Sequence, residues 1–374
     1  MQIPEFVKGA LHALNENGFE AFLVGGGVRD LLMDKQPKDF DIATSAAANE
    51  IKKVFLTNKI VITGEKYGTV TVLFGENYIE ITTFRKDGEY IDNRRPVSVV
   101  FTNELRHDLE RRDFTINAIC YSDRAGVIDL FGGLDDIKNK KIRAIGNPDE
   151  RFNEDSLRIM RALRFSAVLC FEIDEKTKLS IHRNKNLLKN ISAERVRDEL
   201  QKTLCGTRAM EIITEYSDVF NVFANGFCCL SFKHDSLNAH LVCFFYSIPQ
   251  CLKELKFDKK TIKLITSVIE ILKLPPQPIK KLLNKYGLEA VELYIKFEKD
   301  LEPVLKAVIN NKECYSLKQL AINGDDLALM GISGKQAGNT LNYLLELVIE
   351  DKVQNNAESL ERLVRQAGAL EAHF

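Results

Sequence analysis

Apolar and polar positions divide the chain into two regimes. Over the first 140 residues short apolar runs alternate with turn residues, which predicts a mixed α/β region. Residues 4–17 carry helical periodicity and stop at Gly18, a C-cap signal. Residues 19–24 predict a strand, followed by three glycines and a helix-like run at 28–33. Residues 39–42 predict a second strand, and 69–74 with 78–84 a hairpin across Gly75, Glu76 and Asn77. The polar stretch 87–99, with Gly88 and Pro96, reads as a loop. From about Asn153 onward the periodicity is helical, broken near Gly206, Gly226, the Pro-rich 274–278 and Gly324. No repeat of fixed period and no low-complexity segment interrupts this order.

A chain of 374 residues suggests two to four domains at roughly 150 residues each. Its 45% apolar and 28% charged residues are ordinary for a globular protein, so a sizeable core is available. Lys+Arg (52) almost cancels Asp+Glu (53), which excludes a histone-like mass-charge binder but not a local basic patch. Trp is absent, so base stacking would fall to Tyr, Phe, His or Arg. The start lacks the basic and apolar regions of a signal peptide. The densest apolar stretch, 241–248, is far short of the roughly 20 residues that cross a bilayer. The expectation is a cytoplasmic protein without membrane contact. The eight cysteines include no CxxC pair, and adjacent Cys228 and Cys229 suit a disulfide poorly, so buried thiols are expected.

Four groups of residues carry candidate chemistry. Gly25, Gly26 and Gly27 join a strand to a helix, where backbone N–H groups could cradle phosphate oxygens; turn geometry alone would explain them too. Asp39 and Asp41 are spaced i,i+2 and so face the same way on a strand. Two such carboxylates repel each other, and Mg²⁺, which shares its shell with substrate phosphates, relieves that repulsion. Glu80 is a third carboxylate in an otherwise apolar strand, where a buried acid needs a partner. Arg111 and Arg112 beside Asp113, with Asn117 following, could hold a triphosphate and a ribose hydroxyl. Residues 154–165 read as one helix, with Asp155, Arg158 and Arg161 over about 120° of one side and Ile159, Met160, Leu163 and Ala167 opposite. Asp155 and Arg158 are then surface neighbours, while Arg164 lies half a turn from Asp155. Each group alone is explained as turn geometry or a solvated ion pair; together they form a nucleotidyl-transfer set.

The order of these motifs resembles the class II tRNA nucleotidyltransferases (CCA-adding enzymes) of the polymerase-β-like superfamily. Leu23-Val-Gly-Gly-Gly-Val-Arg-Asp30 with Asp39-Phe-Asp41 matches the first family motif, and Arg111-Arg-Asp113 the second. Ile128-Asp-Leu-Phe-Gly-Gly-Leu-Asp-Asp-Ile with Ile142-Arg143 matches the third. Glu154-Asp-x-x-Arg158 matches the fourth and Glu194-Arg-Val-Arg-Asp-Glu-Leu200 the fifth, and a weaker echo runs through Gly324-Asp-Asp-Leu327 and Gly331-Ile-Ser-Gly-Lys335 to about Asn355.

The resemblance implies an α+β N-terminal catalytic domain, a mixed-sheet polymerase-β-like head, followed by an elongated all-α remainder. The expected parts are a head at 1–140, a helical neck with the nucleotide-recognition helix at 141–205, a helical body at 206–275 and a tRNA-binding tail at 276–374. It implies that Asp39 and Asp41 hold two Mg²⁺ ions, with Glu80 as a third carboxylate. Gly25 and Gly26 would face the triphosphate, with Arg29 and Asp30 bracing the turn or the primer. Arg111, Arg112, Asp113 and Asn117 would lie near the incoming nucleotide, Asp113 against the ribose. Asp155 and Arg158 would choose CTP or ATP, accepting from the amino group of cytosine or adenine and donating to its ring; uracil and guanine reverse those roles. Arg161 would position the base or phosphates, and Arg164 is counted with the nucleotide-binding residues in a role other than pairing with Asp155. The partners implied are tRNA, ATP and CTP, with the protein a monomer or homodimer.

Residues 85–101 resemble the flexible loop of members that add the terminal A, which disfavours CC-only addition. Residues 64–70 lack the basic pair and Phe of bacterial poly(A) polymerases, which favours tRNA as substrate. An enzyme adding only the final A, a poly(A) polymerase, and a non-catalytic RNA-binding relative are the alternatives; the last would need decayed carboxylates. His234-Asp235 has no spaced histidine partners, so an HD-type phosphohydrolase is not expected. Residues 252–312 hold 13 Lys against 8 Asp+Glu, a local excess suited to tRNA phosphates.

Overall fold

The computed structural model describes residues 2–64, 67–88, 90–91, 95–96, 98–228, 230 and 236–371. Expectations that touch Glu65, Lys66, Cys229, His234, Asp235, His373 and parts of the 85–101 segment lie outside the described residues. The chain forms two compact units, 1–227 with 254–256, and 228–253 with 257–374.

The first unit is built on a seven-stranded mixed sheet. Its strands are β1 (Ala21–Val24), β2 (Asp41–Thr44), β3 (Ile60–Gly64), β4 (Thr69–Phe74), β5 (Asn77–Thr83), β6 (Ile119–Ser122) and β7 (Gly126–Asp129). The order is β7-β6-β1-β2-β5-β4-β3, with β2 and β5 parallel and the other neighbours antiparallel. The helices α1 (Glu5–Glu16), α2 (Gly26–Leu32) and α3 (Ala48–Val54) accompany it.

Strand alternation decides which side chains enter the core. Leu23, Phe40, Ile42, Val70, Val72, Ile79 and Ile81 pack with Val7, Leu11 and Leu14 of α1 and Ile51 of α3. Burying each such aliphatic side chain stabilises the fold by about 1.5–3 kcal/mol. The opposite face joins Val24, Ala43, Phe84 and Cys120 to Leu109 of α4 (Leu105–Glu110). Asp41, two residues before Ala43, therefore shares this second face, and so do Tyr78 and Glu80, which alternate with Ile79 and Ile81.

The 87–99 segment differs from the expected plain loop. Arg85–Asp87 pairs antiparallel with Val99–Phe101, and Tyr90–Ile91 with Arg95–Pro96. The β-branched and aromatic residues at 99–101 supply the strand preference that the polar centre masks.

After α5 (Gly133–Lys138) the chain becomes helical, with α6 (Pro148–Glu154), α7 (Leu157–Leu169), α8 (Glu175–Asn184) and α9 (Ala193–Leu204). A two-residue parallel bridge, Lys141–Ile142 with Glu172–Ile173, is the local exception. Helix α6 starts ahead of the expected Asn153 because Asn147 caps it, its side chain accepting from the Asp149 amide at 3.1 Å. The single helix expected at 154–165 is broken at Asp155, whose backbone is extended (φ −135°, ψ 98°). The Asp155 carboxylate accepts from the Leu157 amide at 3.2 Å, the local competition by which Asp interrupts helices. The apolar arc of α7 is as expected: Ile159, Met160, Leu163 and Ala167 are fully buried.

The second unit is helical, from Leu237–Phe245 through Lys259–Lys273 and Ile279–Tyr286 to Gly334–Ile349 and Ala357–Glu371. The Pro-rich 274–278 separates two of these helices. One core gathers Ile271, Leu282, Val291 and Val308, and another Ile322, Leu327, Leu344 and Leu360. Several lysines of the basic segment are engaged internally: Lys280 with Asp351 and Glu313, Lys281 with Glu350, Lys260 with Glu289, Lys306 with Glu302.

No helix among the described residues is long and apolar enough to cross a membrane. Cys120 and Cys314 are buried thiols, as expected, whereas Cys170, Cys205 and Cys228 are exposed.

Candidate active site

The glycine run sets the geometry of the site. Gly25 adopts φ 78°, a conformation that favours glycine. A Cβ there would stand 3.1 Å from Arg112 Nη1 and 3.5 Å from Asp41 Oδ2, so the turn lies directly against both side chains. A Cβ on Gly27 would meet the Asp39 carbonyl at 3.1 Å, which holds the start of α2 against the chain entering β2.

Asp39 and Asp41 face one way, as their spacing predicts, although Asp39 precedes the strand rather than lying in it. Asp41 is opposite Glu80 in the β2–β5 register. Burial, with the charges of Glu80 and Asp39, pushes the Asp41 carboxyl up to about 6 against the pull of Arg112. Glu80 is exposed, which corrects the expectation of a buried strand acid: it alternates with Ile79 and Ile81 and faces away from their core. The donors here are hard carboxylate oxygens with uncompensated charge, which fits a hard divalent cation. No cluster of three or more His, Cys, Asp or Glu side chains that could enclose a metal occurs among the described residues. The acid pair thus suits an ion that takes its remaining ligands from phosphate and water.

Every nucleotide-binding residue expected from the sequence lines one cavity of about 450 Å³, together with Asp41. Seven arginines and three aspartates line it, an excess of positive charge that the near-neutral chain total conceals.

A buried chain of hydrogen bonds crosses this cavity. Arg29 donates to Asp30 (2.7 and 2.9 Å) and through Nη1 to Asn117 Oδ1 (2.7 Å). Asn117 Nδ2 donates to Asp113 Oδ1 at 3.0 Å, and the Asp113 Oδ2 accepts from Arg161 Nε at 2.7 Å. Burial alone would raise the Asp113 carboxyl, but the Arg161 charge and the Asn117 and Arg161 hydrogen bonds bring it down to about 2. Asp113, expected at the ribose, here spends both oxygens on protein donors, Oδ1 also accepting from the Phe114 amide.

The Asp155–Arg158 pair expected on one helix face is not formed. The break at Asp155 turns its carboxylate to Arg195 of α9 at 3.1 Å. Arg158 instead reaches Glu154 at 2.8 Å and the Arg111 carbonyl at 2.7 Å. Arg164, counted with the nucleotide-binding residues but half a turn from Asp155, lines the same cavity. With Asp155 outside α7, Arg158, Arg161 and Arg164 fall at successive i,i+3 positions within about 120°. Arg164 pairs with Glu199 at 3.0 Å and lies 4.2 Å over the Phe165 ring, which Arg29 and Arg161 flank at 5.3 and 5.4 Å.

Sequence reasoning passed over three functional neighbours. Asp108 is fully buried and accepts from Arg111 (2.7 and 3.0 Å) and Arg112 (3.2 Å), so it aims both arginines. Although burial opposes it, the two guanidinium charges hold its carboxyl below the usual range. The i,i+3 and i,i+4 spacing ahead of the arginine pair was the available signal. Arg195 stood inside the fifth motif without an assigned role, and one of its buried nitrogens, Nη1, has no hydrogen-bond partner. Phe165 carried no signal beyond helical spacing.

Known proteins match this architecture along its length. The Poly A polymerase head domain model matches residues 21–143. The model described as a probable RNA and SrmB-binding site of polymerase A matches 170–217, and the putative tRNA nucleotidyltransferase domain 2 matches 237–364. The CCA-adding enzyme of Lactobacillus helveticus is 36% identical, with 96% of each chain covered. The crystal structure of the Bacillus stearothermophilus CCA-adding enzyme in complex with CTP superposes with a TM-score of 0.82 at 27% identity, covering 100% of both chains. A tRNA nucleotidyltransferase complexed with a primer tRNA and an incoming ATP analogue gives a TM-score of 0.64 at 25% identity, covering 81% of this chain and 99% of that one. Identity sustained over nearly the whole of both chains, on a head that places the acid pair beside an arginine-lined cavity, makes this chain a member of the CCA-adding enzyme family.

Proposed function

We propose that this chain completes the CCA 3′ end of tRNA without a nucleic-acid template, transferring nucleotides from CTP and ATP and releasing pyrophosphate. The observation that carries this is one cavity lined both by Gly25, Asp41 and Arg112, suited to phosphates, and by Asp155, Arg158 and Arg161, suited to a base.

The family uses a divalent metal, and Asp39 and Asp41 are the residues that would hold it, as two Mg²⁺ ions, with Glu80 beside them. Bound there, the metal supplies charge that favours the deprotonated tRNA 3′-hydroxyl and steadies the departing pyrophosphate. The amides at the start of α2 and the guanidinium groups of Arg111 and Arg112, aimed by Asp108, receive the triphosphate. Arg161, fixed by Asp113, and Arg164, carried on Phe165, add positive charge to the same floor. Asp155 accepts from the amino group of cytosine or adenine once its grip on Arg195 is shared with the base. Arg158 uses three of its N–H groups on Arg151, Glu154 and Arg111, which leaves two of five for ring acceptors. Uracil and guanine present the opposite donors and leave these groups unpaired, which is the basis of selection. The tRNA body would be held by the helical second unit through phosphates, for which lysines such as Lys263 and Lys296 are suited.

Incubation with tRNA transcripts ending before the first C, the second C or the final A, each with one nucleotide at a time, tests the proposal. The expected result is C, C and A addition in turn and arrest after A. Addition only to the transcript lacking A identifies a terminal-A enzyme, and long A tails on unstructured RNA identify a poly(A) polymerase. No incorporation into any transcript overturns nucleotidyl transfer itself.

A further inference from the structure

The sheet face that carries the two aspartates also carries a tyrosine with no part in the chemistry above. Asp41 is opposite Glu80 in the parallel register, and two residues earlier on the same face Asp39 meets Tyr78. The Tyr78 hydroxyl donates to Asp39 Oδ1 at 2.6 Å. The Tyr78 side of β5 is the open one: the residue is 48% exposed and belongs to neither core cluster of the sheet. Asp39 is itself exposed and lies outside the strand, so nothing in the β2 ladder fixes its carboxylate. A hydrogen bond between two exposed groups adds little to folding, because water replaces either partner. Its consequence is orientation: one lone pair of Oδ1 is taken, and Oδ2 is left for another ligand.

We infer that Tyr78 is a positioning residue for the metal site, its hydroxyl anchoring one oxygen of Asp39 so that the other is presented to the cation. The inference rests on the metal-binding role proposed for Asp39. Without the hydroxyl, Asp39 must be immobilised by the cation itself. The expected loss is roughly two- to tenfold in cation affinity, the scale of ordering one side chain.

The test uses the full chain and Mn²⁺ alone as the probe, with free Mn²⁺ read by electron paramagnetic resonance. Wild type, Tyr78→Phe and Asp39→Asn are compared, with thermal unfolding to confirm that each is folded. The expected result is that Asp39→Asn loses most Mn²⁺ binding and Tyr78→Phe binds roughly two- to tenfold more weakly. In steady-state addition, Tyr78→Phe should need correspondingly more Mg²⁺ for half-maximal rate while kcat at saturating Mg²⁺ stays near wild type. Wild-type Mn²⁺ affinity in Tyr78→Phe, with binding lost in Asp39→Asn, overturns the inference and leaves the metal assignment standing. Undiminished binding in Asp39→Asn overturns the metal assignment and the inference with it. A lower kcat in Tyr78→Phe with unchanged Mg²⁺ dependence also overturns it, since a role in orienting Asp39 predicts the reverse.

Discussion

Asp41 and Asp113 line the same cavity, yet the structure drives their carboxyl groups apart, one up to about 6 and the other down to about 2. Both are withdrawn from water. The difference lies in what meets them. Asp113 receives Arg161, Asn117 and the Phe114 amide, so its charge is satisfied within the protein. Among the described residues Asp41 meets Glu80 and Asp39 against the opposing charge of Arg112, so its charge is not fully satisfied. One region is a finished network that fixes arginines; the other is left unfinished, as the proposed metal site requires.

The largest effect should follow from removing the unfinished side. Asp39→Ala or Asp41→Ala should lower nucleotide addition by at least about a thousandfold, consistent with loss of metal-borne charge stabilisation, while tRNA binding in a filter assay survives. Activity retained in either variant would take that residue out of the metal site.

Next in size is the choice of base. Asp155→Ala or Arg158→Ala should relax discrimination of C and A against U and G by roughly ten- to a hundredfold, measured as the ratio of kcat/KM values. The two variants need not agree in the free protein, because Asp155 is tied to Arg195 and Arg158 to Glu154. Unchanged selectivity in both would make these ion pairs structural.

A smaller effect belongs to the finished network. Asp113→Asn leaves Arg161 without its anion and should destabilise the head by about 2 kcal/mol, below the range for a buried pair because Arg161 keeps a third of its side chain exposed. The depressed carboxyl of Asp113 contributes stability that is complete above the unfolded value near 4 and is lost as pH falls from there to about 2. Acid unfolding followed by circular dichroism should therefore be less steep over that window in the Asn variant. Equal slopes would mean that Asp113 is not held as an ion.

Much of this contrast is legible in the sequence, and the limits are physical. The i,i+2 spacing places Asp39 and Asp41 on one face because strand alternation is local, and the glycine run marks its turn because few residues tolerate φ 78°. The break at Asp155 is not legible in the same way. Residues 154–165 keep helical periodicity throughout, and what draws Asp155 out is its own grip on the Leu157 amide and the guanidinium of Arg195, 40 positions away. Asp108 is missed for a related reason: its spacing to Arg111 and Arg112 is local, but its complete burial is decided by tertiary packing.

Central to the proposed site is that Asp41 is short of positive charge unless a cation binds beside it. Denaturant unfolding of wild type and Asp41→Asn between pH 4 and 8, with divalent ions chelated, tests it directly. A carboxyl raised to about 6 makes the folded wild type hold a proton that the unfolded chain has released, so wild-type stability falls as pH climbs from about 4 to 6 and then levels. The Asn variant lacks this loss and should be more stable by about 3 kcal/mol at pH 8, an advantage that vanishes near pH 4 and is reversed by excess Mg²⁺. Parallel curves for the two proteins across the whole range, with or without Mg²⁺, would contradict the account.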